Sequence, residues 1–346
     1  MEKRSFIGDI LEQPQALKNA IAAYPGSDLE ILKKKISSGN IKRIVMAGHG
    51  SSFNALYPSF LHLSKLPIPV TLWQTAELLK YGFRQIDAHT LLILNSQSGR
   101  SIEMEQLINE IAQGGAACIV ALTNYMDSPL GQNADFCIPL MAGEEHGVAT
   151  KTFINPLALS IILGLQLNGE NTDHARASFL LLADEIAAYL TDWQKKVQSI
   201  SQLIGSCNHV IVVGRGYSMA SALNGAINQK EAAWNFSEGM NAAEFRHGPL
   251  ELADDKLTLF IMEGDELTRE INYKLADEVQ SYGSHVIWVG NKGDKKFTSI
   301  TIPGATTFTQ PAAEAVAMQL VALALAVNKG LEAGKFRRIG KVVLVE

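Results

Sequence analysis

Two stretches decide the fold: Ile44 to Ser52, IVMAGHGSS, and Ile211 to Ser218, IVVGRGYS. Each is an apolar run rich in Val and Ile that ends in a Gly-x-Gly turn followed by Ser. That is the pattern of a strand buried on both faces of a parallel sheet and leading into a helix. Aligned on Gly48 and Gly214, the two lie 166 residues apart. The same offset carries Leu91 through Leu94 (LLIL) onto Leu257 through Phe260 (LTLF), and Ile119 through Thr123 (IVALT) onto His285 through Val289 (HVIWV). Three apolar runs at one offset predict a duplicated domain.

Working outward from these runs, strands are expected near 43–48, 69–73, 90–95, 117–122 and 135–140 of the first copy, with helices in the gaps. The segment 173–204 has apolar residues at helical spacing and neither Gly nor Pro, so it reads as one long helix linking the copies. The division is placed near residue 170, giving domains 1–170 and 171–346 of an α/β protein. Each would be a parallel sheet sandwiched between helices. The composition agrees: among 346 residues, 47% are hydrophobic and 19% charged, which excludes a disordered or fibrous chain. Thirty basic against thirty-five acidic residues give a net charge of −5, so nothing global draws the chain to nucleic acid or an anionic membrane.

Cys118, Cys137 and Cys207 are widely spaced and lack any CxxC or Cys/His pattern, so no zinc site or disulfide framework is expected. The amino-terminal residues MEKRSFIGDILEQPQALKNAI carry no signal-like apolar core, and no stretch of 18 residues is free of polar interruption. A cytoplasmic protein without membrane or nucleic-acid partners is the expectation.

Ligands of open parallel sheets bind beyond the carboxyl ends of the strands, where helix N-termini present backbone N–H groups. Two loops of the first copy answer that description: Gly48 to Ser52 after the first strand, and Asn95 to Ser101 (NSQSGRS) after the third. A single serine before a helix reads as a cap. Three hydroxyls, two amides and a guanidinium around one glycine read as a cradle for phosphate or carboxylate. The corresponding loop of the second copy, Met262 to Leu267 (MEGDEL), has acids instead and should not bind phosphate the same way. Phe53 and Met219 stand where the third glycine of GxGxxG would be, and no GxxxxGK[ST] occurs, which argues against nicotinamide or ATP.

The second copy carries the acid–base candidates. Over Ser218 to Trp234, helical spacing places Asn224, Asn228 and Glu231 on one face. His247 directly precedes the Gly248-Pro249 break, where a helix must stop and a side chain can turn into a cleft. The closing residues 337–346 read as an apolar tail that docks onto the body and carries Lys341 with it.

Together GHGSS, NSQSGRS, EHGVATKTF (145–153), KEAAWNFSEGMNAAEFRHGP (230–249) and GKVVLVE (340–346) resemble the tandem sugar isomerase (SIS) domains of glucosamine-6-phosphate synthase and its relatives. DILEQPQALKNAI looks like the segment preceding the first SIS domain of the synthase. The chain begins after the point where the synthase's glutaminase domain would end, so making amino sugar from glutamine is not expected. The resemblance implies that Ser51, Ser52, Ser96, Gln97, Ser98 and Ser101 hold a sugar 6-phosphate and that Val148 and Thr150 line the sugar. It also implies that Glu231 moves a proton between C1 and C2, that His247 assists ring opening, and that Lys341 closes over the sugar.

A homodimer with shared sites is implied, because the synthase's histidine comes from the partner subunit; neither metal nor organic cofactor is implied. Two departures stand out: Asn224 and Asn228 replace a glutamate and a lysine of the synthase, and the GVATKTF segment is one residue short. The activity implied is that of an amino-sugar phosphate isomerase or deaminase, releasing fructose 6-phosphate and ammonia from glucosamine 6-phosphate. The alternatives are a fructoselysine or glucoselysine 6-phosphate deglycase, and a non-catalytic sugar-phosphate sensor.

Overall fold

The computed structural model describes residues 5–114, 118–205, 207, 209–338, 340 and 341. It contains two five-stranded parallel sheets, each within its own compact unit. Among the described residues, one unit takes those within 15–144 and 152–179 together with 340 and 341, and the other takes 5–14, 145–151 and those within 180–338.

The first sheet is built from β1 (Arg43–Gly48), β2 (Val70–Gln74), β3 (Thr90–Asn95), β4 (Cys118–Thr123) and β5 (Phe136–Pro139), in the order β2-β1-β3-β4-β5. The helices along this stretch are α1 (Phe6–Ala22), α2 (Gly26–Ser37), α3 (Gly50–Leu63), the short α4 (Thr75–Glu77), α5 (Ile102–Gly114), α6 (Pro129–Asn133) and α7 (Lys151–Leu167). After α8 (Asp173–Tyr189) and α9 (Trp193–Ile204) comes the second set: β6 (His209–Gly214), α10 (Ser218–Ala233), β7 (Ser237–Asn241), β8 (Leu257–Met262), α11 (Arg269–Ser281), β9 (His285–Gly290), β10 (Thr298–Thr301) and α12 (Gln310–Asn328). Its sheet order, β7-β6-β8-β9-β10, repeats that of the first. This is the doubly wound α/β architecture that the two quoted stretches imply.

The cores explain why these residues form these elements. On one face of the first sheet, Val45, Ala47, Leu92, Leu94, Ile119 and Ala121 alternate along their strands and pack with Met104, Leu107, Ile108 and Ile111 of α5. Those four recur at the spacing of a single helix face. In the second sheet Ile211, Val213, Leu259, Ile261, Val286 and Trp288 meet Leu275, Ala276 and Val279 of α11 in the same way.

The duplication is real, but its offset is not constant. Arg43 pairs with Thr90 in the first sheet and His209 with Leu257 in the second, while Leu91 pairs with Cys118 and Thr258 with His285. The offset is therefore 166 at β1/β6 and 167 at β3/β8 and β4/β9. A one-residue slip exchanges the two faces of a strand. The core confirms the longer offset, since Leu92 and Ile119 correspond to Leu259 and Val286, whereas 166 would set Thr258 opposite Leu92.

The expected single helix over 173–204 is also corrected: a 3-10 turn, Leu190–Asp192, separates α8 from α9. The helix α12 has the length and hydropathy of a membrane span, but 94% of it is buried within the protein. Cys118 is buried, Cys137 and Cys207 are half-buried, and all three are free thiols.

Candidate active site

The two loops expected to cradle an anion lie at the carboxyl ends of the neighbouring strands β1 and β3. They are tied together by the Asn95 amide, whose Nδ2 donates to the Ser52 carbonyl at 2.9 Å. Ser51 and Ser52 stand half-buried in the first turn of α3, whose leading N–H groups have no acceptor within the helix. Ser96 and Ser98 are 9% and 8% exposed. The Gly99 N–H donates to Ser96 Oγ at 3.1 Å, and the Arg100 N–H donates to Ser98 Oγ at 3.2 Å.

Gly99 adopts φ +62°, and a Cβ there would fall 2.1 Å from Ser128 Oγ, so the turn accepts glycine alone. Gln97 and Ser101 are half-buried, Ser101 directly preceding α5. The six residues named for phosphate binding thus follow the carboxyl ends of two adjacent strands of the first sheet. The guanidinium of Arg100 is exposed and paired with Asp127 at 3.0 Å, so part of its charge is already offset.

Sequence reasoning passed over His49, whose flanking glycines at the carboxyl end of β1 were the available signal. Its Nε2 accepts the Ala76 N–H at 3.2 Å and lies 4.0 Å from Glu103 of α5. His49 thereby joins the β1 loop to α4 and borders the cradle.

The remaining candidates, apart from Lys341, fall in the unit of the second sheet. Val148 and Thr150 are fully buried. The Thr150 hydroxyl and N–H both donate to Glu145 Oε1, at 2.8 and 2.9 Å. Next to them Lys151, 1% exposed, donates to Glu12 at 2.6 Å and pairs with buried Asp9 at 3.2 Å, while Asp9 also accepts the His146 N–H at 3.0 Å. Burial opposes a charge on Lys151, but the hydrogen bonds and charges of Glu12 and Asp9 outweigh it and hold its pKa above the usual value. The segment 145–151 is thus fastened to α1 by an ion-pair cluster that no local residue spacing reveals.

Glu231 lies half-buried near the end of α10. The residue after it, Ala232, accepts the Gly334 N–H at 3.3 Å, and a Cβ on Gly334 would lie 3.7 Å from Val148. Glu231 and Val148 are therefore brought into one neighbourhood. Asn224 and Asn228, which helical spacing sets on one face with Glu231, are fully buried and hydrogen-bonded to each other at 3.4 Å.

His247 is exposed. The helix expected to stop at Gly248-Pro249 is replaced by two 3-10 turns, Glu244–Arg246 and Pro249–Leu252, with Gly248 at φ +133° between them. Lys341 is half-buried, in the part of the chain grouped with the first sheet. The docking expected of residues 342–346 lies outside the described residues.

Residues 39–163 and 203–329 match the SIS domain family. Glutamine–fructose-6-phosphate aminotransferase [isomerizing] of Sulfurisphaera tokodaii is 29% identical over 343 residues, covering 99% of this chain and 56% of that protein. The Halobacterium salinarum enzyme of the same name is 29% identical over 358 residues, covering 99% and 59%. The chain thus spans less than two thirds of these relatives.

Among solved structures, the C-terminal domain of glucosamine-fructose-6-phosphate aminotransferase from Francisella tularensis superposes with a TM-score of 0.82 at 22% identity, over 95% of this chain and 97% of that one. Glucosamine-6-phosphate deaminase from Thermotoga maritima gives 0.77 at 19% identity, over 98% and 99%. At such identities the superpositions speak for the fold. With both sheets, their connecting helices and their strand order falling inside the two matched segments, the chain belongs to the SIS domain family.

Proposed function

We propose that this protein is a phosphosugar-converting enzyme that acts on an amino-sugar 6-phosphate, releasing ammonia and a ketose 6-phosphate, as a cytoplasmic homodimer with shared sites. The observation that carries the reading is the buried serine loop after β3. Ser96 and Ser98 each use a lone pair on a backbone N–H and so keep their own hydroxyl hydrogens to donate to an anion. Phosphate binding remote from the reacting carbons fixes the open-chain sugar, and that binding energy is available to orient C1 and C2.

His247 assists opening of the ring C–O bond. Glu231 then takes the proton from C2, leaving an enaminol, and returns it to C1. The amine-bearing C2 is now an imine; water adds to it, the carbon–nitrogen bond breaks, and ammonia leaves with the ketose phosphate. Lys341 covers the sugar from the tail. The relatives named as aminotransferases of fructose 6-phosphate, and the neighbour named as a glucosamine-6-phosphate deaminase, support this choice of substrate class. The neutral, fully buried Asn224–Asn228 pair offers no charge to a lysine moiety, which favours a small leaving group over a glycated amino acid.

The test is incubation with a panel of amino-sugar and glycated-lysine 6-phosphates, following ammonia, free lysine and ketose phosphate. Equal appearance of ammonia and ketose phosphate from an amino sugar is expected. Lysine release would assign the deglycase reading, and binding without turnover across the panel would assign a sensor.

A further inference from the structure

Residues 332–338, at the root of the carboxyl-terminal tail, converge with the end of α10 and the strap 145–151. Gly334 is the junction: its N–H donates to the Ala232 carbonyl at 3.3 Å, and its carbonyl lies 2.9 Å from where a Cβ on Gly147 would stand. With φ +78° and a Cβ position 2.9 Å from Phe6 Cβ, Gly334 admits no side chain. Three residues on, the Arg337 guanidinium lies over the Trp234 ring, 4.1 Å from its centroid.

Trp234 caps α10 in the left-handed region, φ +48° and ψ +37°, with its N–H donated to the Gln229 carbonyl. A bulky residue holds that conformation only where its surroundings fix it. Here it turns a 37%-exposed indole outward as a platform three residues beyond Glu231.

We propose that Trp234 and Arg337 form a latch that fixes the root of the tail at the Glu231 end of α10, making both positioning residues for Lys341. Lys341 lies four residues beyond Arg337, so a latched root confines it to within about 14 Å of that anchor. This deepens the proposed function and rests on it for the role of Lys341, whereas the latch itself rests on the contacts above.

The experiment uses the full chain in four forms: wild type, Trp234→Asn, Arg337→Ala and Arg337→Lys. Asparagine tolerates the left-handed cap and removes only the ring, and it leaves every Lys and Arg in place for trypsin. Trp234→Asn is expected to release the carboxyl-terminal peptide about two- to five-fold faster, the range of an exposed cation–π contact, at an unchanged melting temperature. Both Trp234→Asn and Arg337→Ala should lower kcat by a similar factor with KM and equilibrium sugar-phosphate binding unchanged, and Arg337→Lys should fall between them and the wild type.

Unchanged tail release in Trp234→Asn overturns the latch. Faster release with wild-type kcat overturns its positioning role. Failure of the wild type to turn over any amino-sugar phosphate strikes the proposed function alone, because tail release still decides whether the latch exists.

Discussion

A hydroxyl that accepts a backbone N–H still has a hydrogen to give, and at Ser98 that hydrogen is held in a turn only glycine at 99 permits. Ser101 brings a second hydroxyl to the start of α5. Hydrogen bonds to charged groups are worth about 1.5–3 kcal/mol each. The double variant Ser98→Ala/Ser101→Ala is therefore expected to raise KM for the sugar phosphate by about a hundred- to ten-thousand-fold with kcat little changed, measured by steady-state kinetics. Unaltered KM would remove these serines from the cradle. Such residues were legible because they cluster in one loop of the sequence. The Lys151–Asp9–Glu12 cluster was not, since its partners lie about 140 positions apart and meet only through the fold. Asn224 and Asn228 were correctly placed one helical turn apart, but spacing alone does not tell a buried face from an accessible one.

At the scale of elements, α10 and α12 meet through a fully buried carboxylate. Glu314 accepts hydrogen bonds from the hydroxyls of Ser218 and Ser221 and from the Gln310 amide. Burial pushes its pKa up to about 7, against the pull of those three hydrogen bonds. The folded state thus holds a proton that the unfolded chain gives up near the ordinary value of 4.5. This stabilisation is complete below that pH and is lost as the pH rises toward about 7. Relative to the wild type, Glu314→Gln should gain on the order of 3 kcal/mol between pH 4.5 and pH 8, checked by denaturant unfolding at both ends of the window. A constant difference between the two proteins would contradict the assignment.

The strands themselves were readable to within a residue or two, because apolar runs buried on both faces leave little freedom of placement. Their relation across the duplication was not. One inserted residue between the first and third strands shifts the offset, and only the pairing registers expose it. The break at Leu190–Asp192 was equally hidden, in a stretch with no glycine or proline to mark it.

Across the whole chain, two copies of one topology have diverged in what they place at the ends of their strands. The loop after β3 offers buried hydroxyls. After β8 the loop carries Glu263, whose carboxylate accepts the Asn291 N–H at 2.7 Å and pairs with the Arg269 guanidinium at 2.5 Å, so both of its oxygens are already committed within the protein. In the proposed reaction the two halves divide the labour, the first sheet's loops holding the phosphate and Glu231 moving the proton. Glu231→Gln tests this division most directly, with turnover and equilibrium binding of glucosamine 6-phosphate measured on the same preparation. A loss of about a hundred- to ten-thousand-fold in kcat with binding retained is expected. Wild-type turnover in that variant, or loss of binding in step with turnover, would contradict the division.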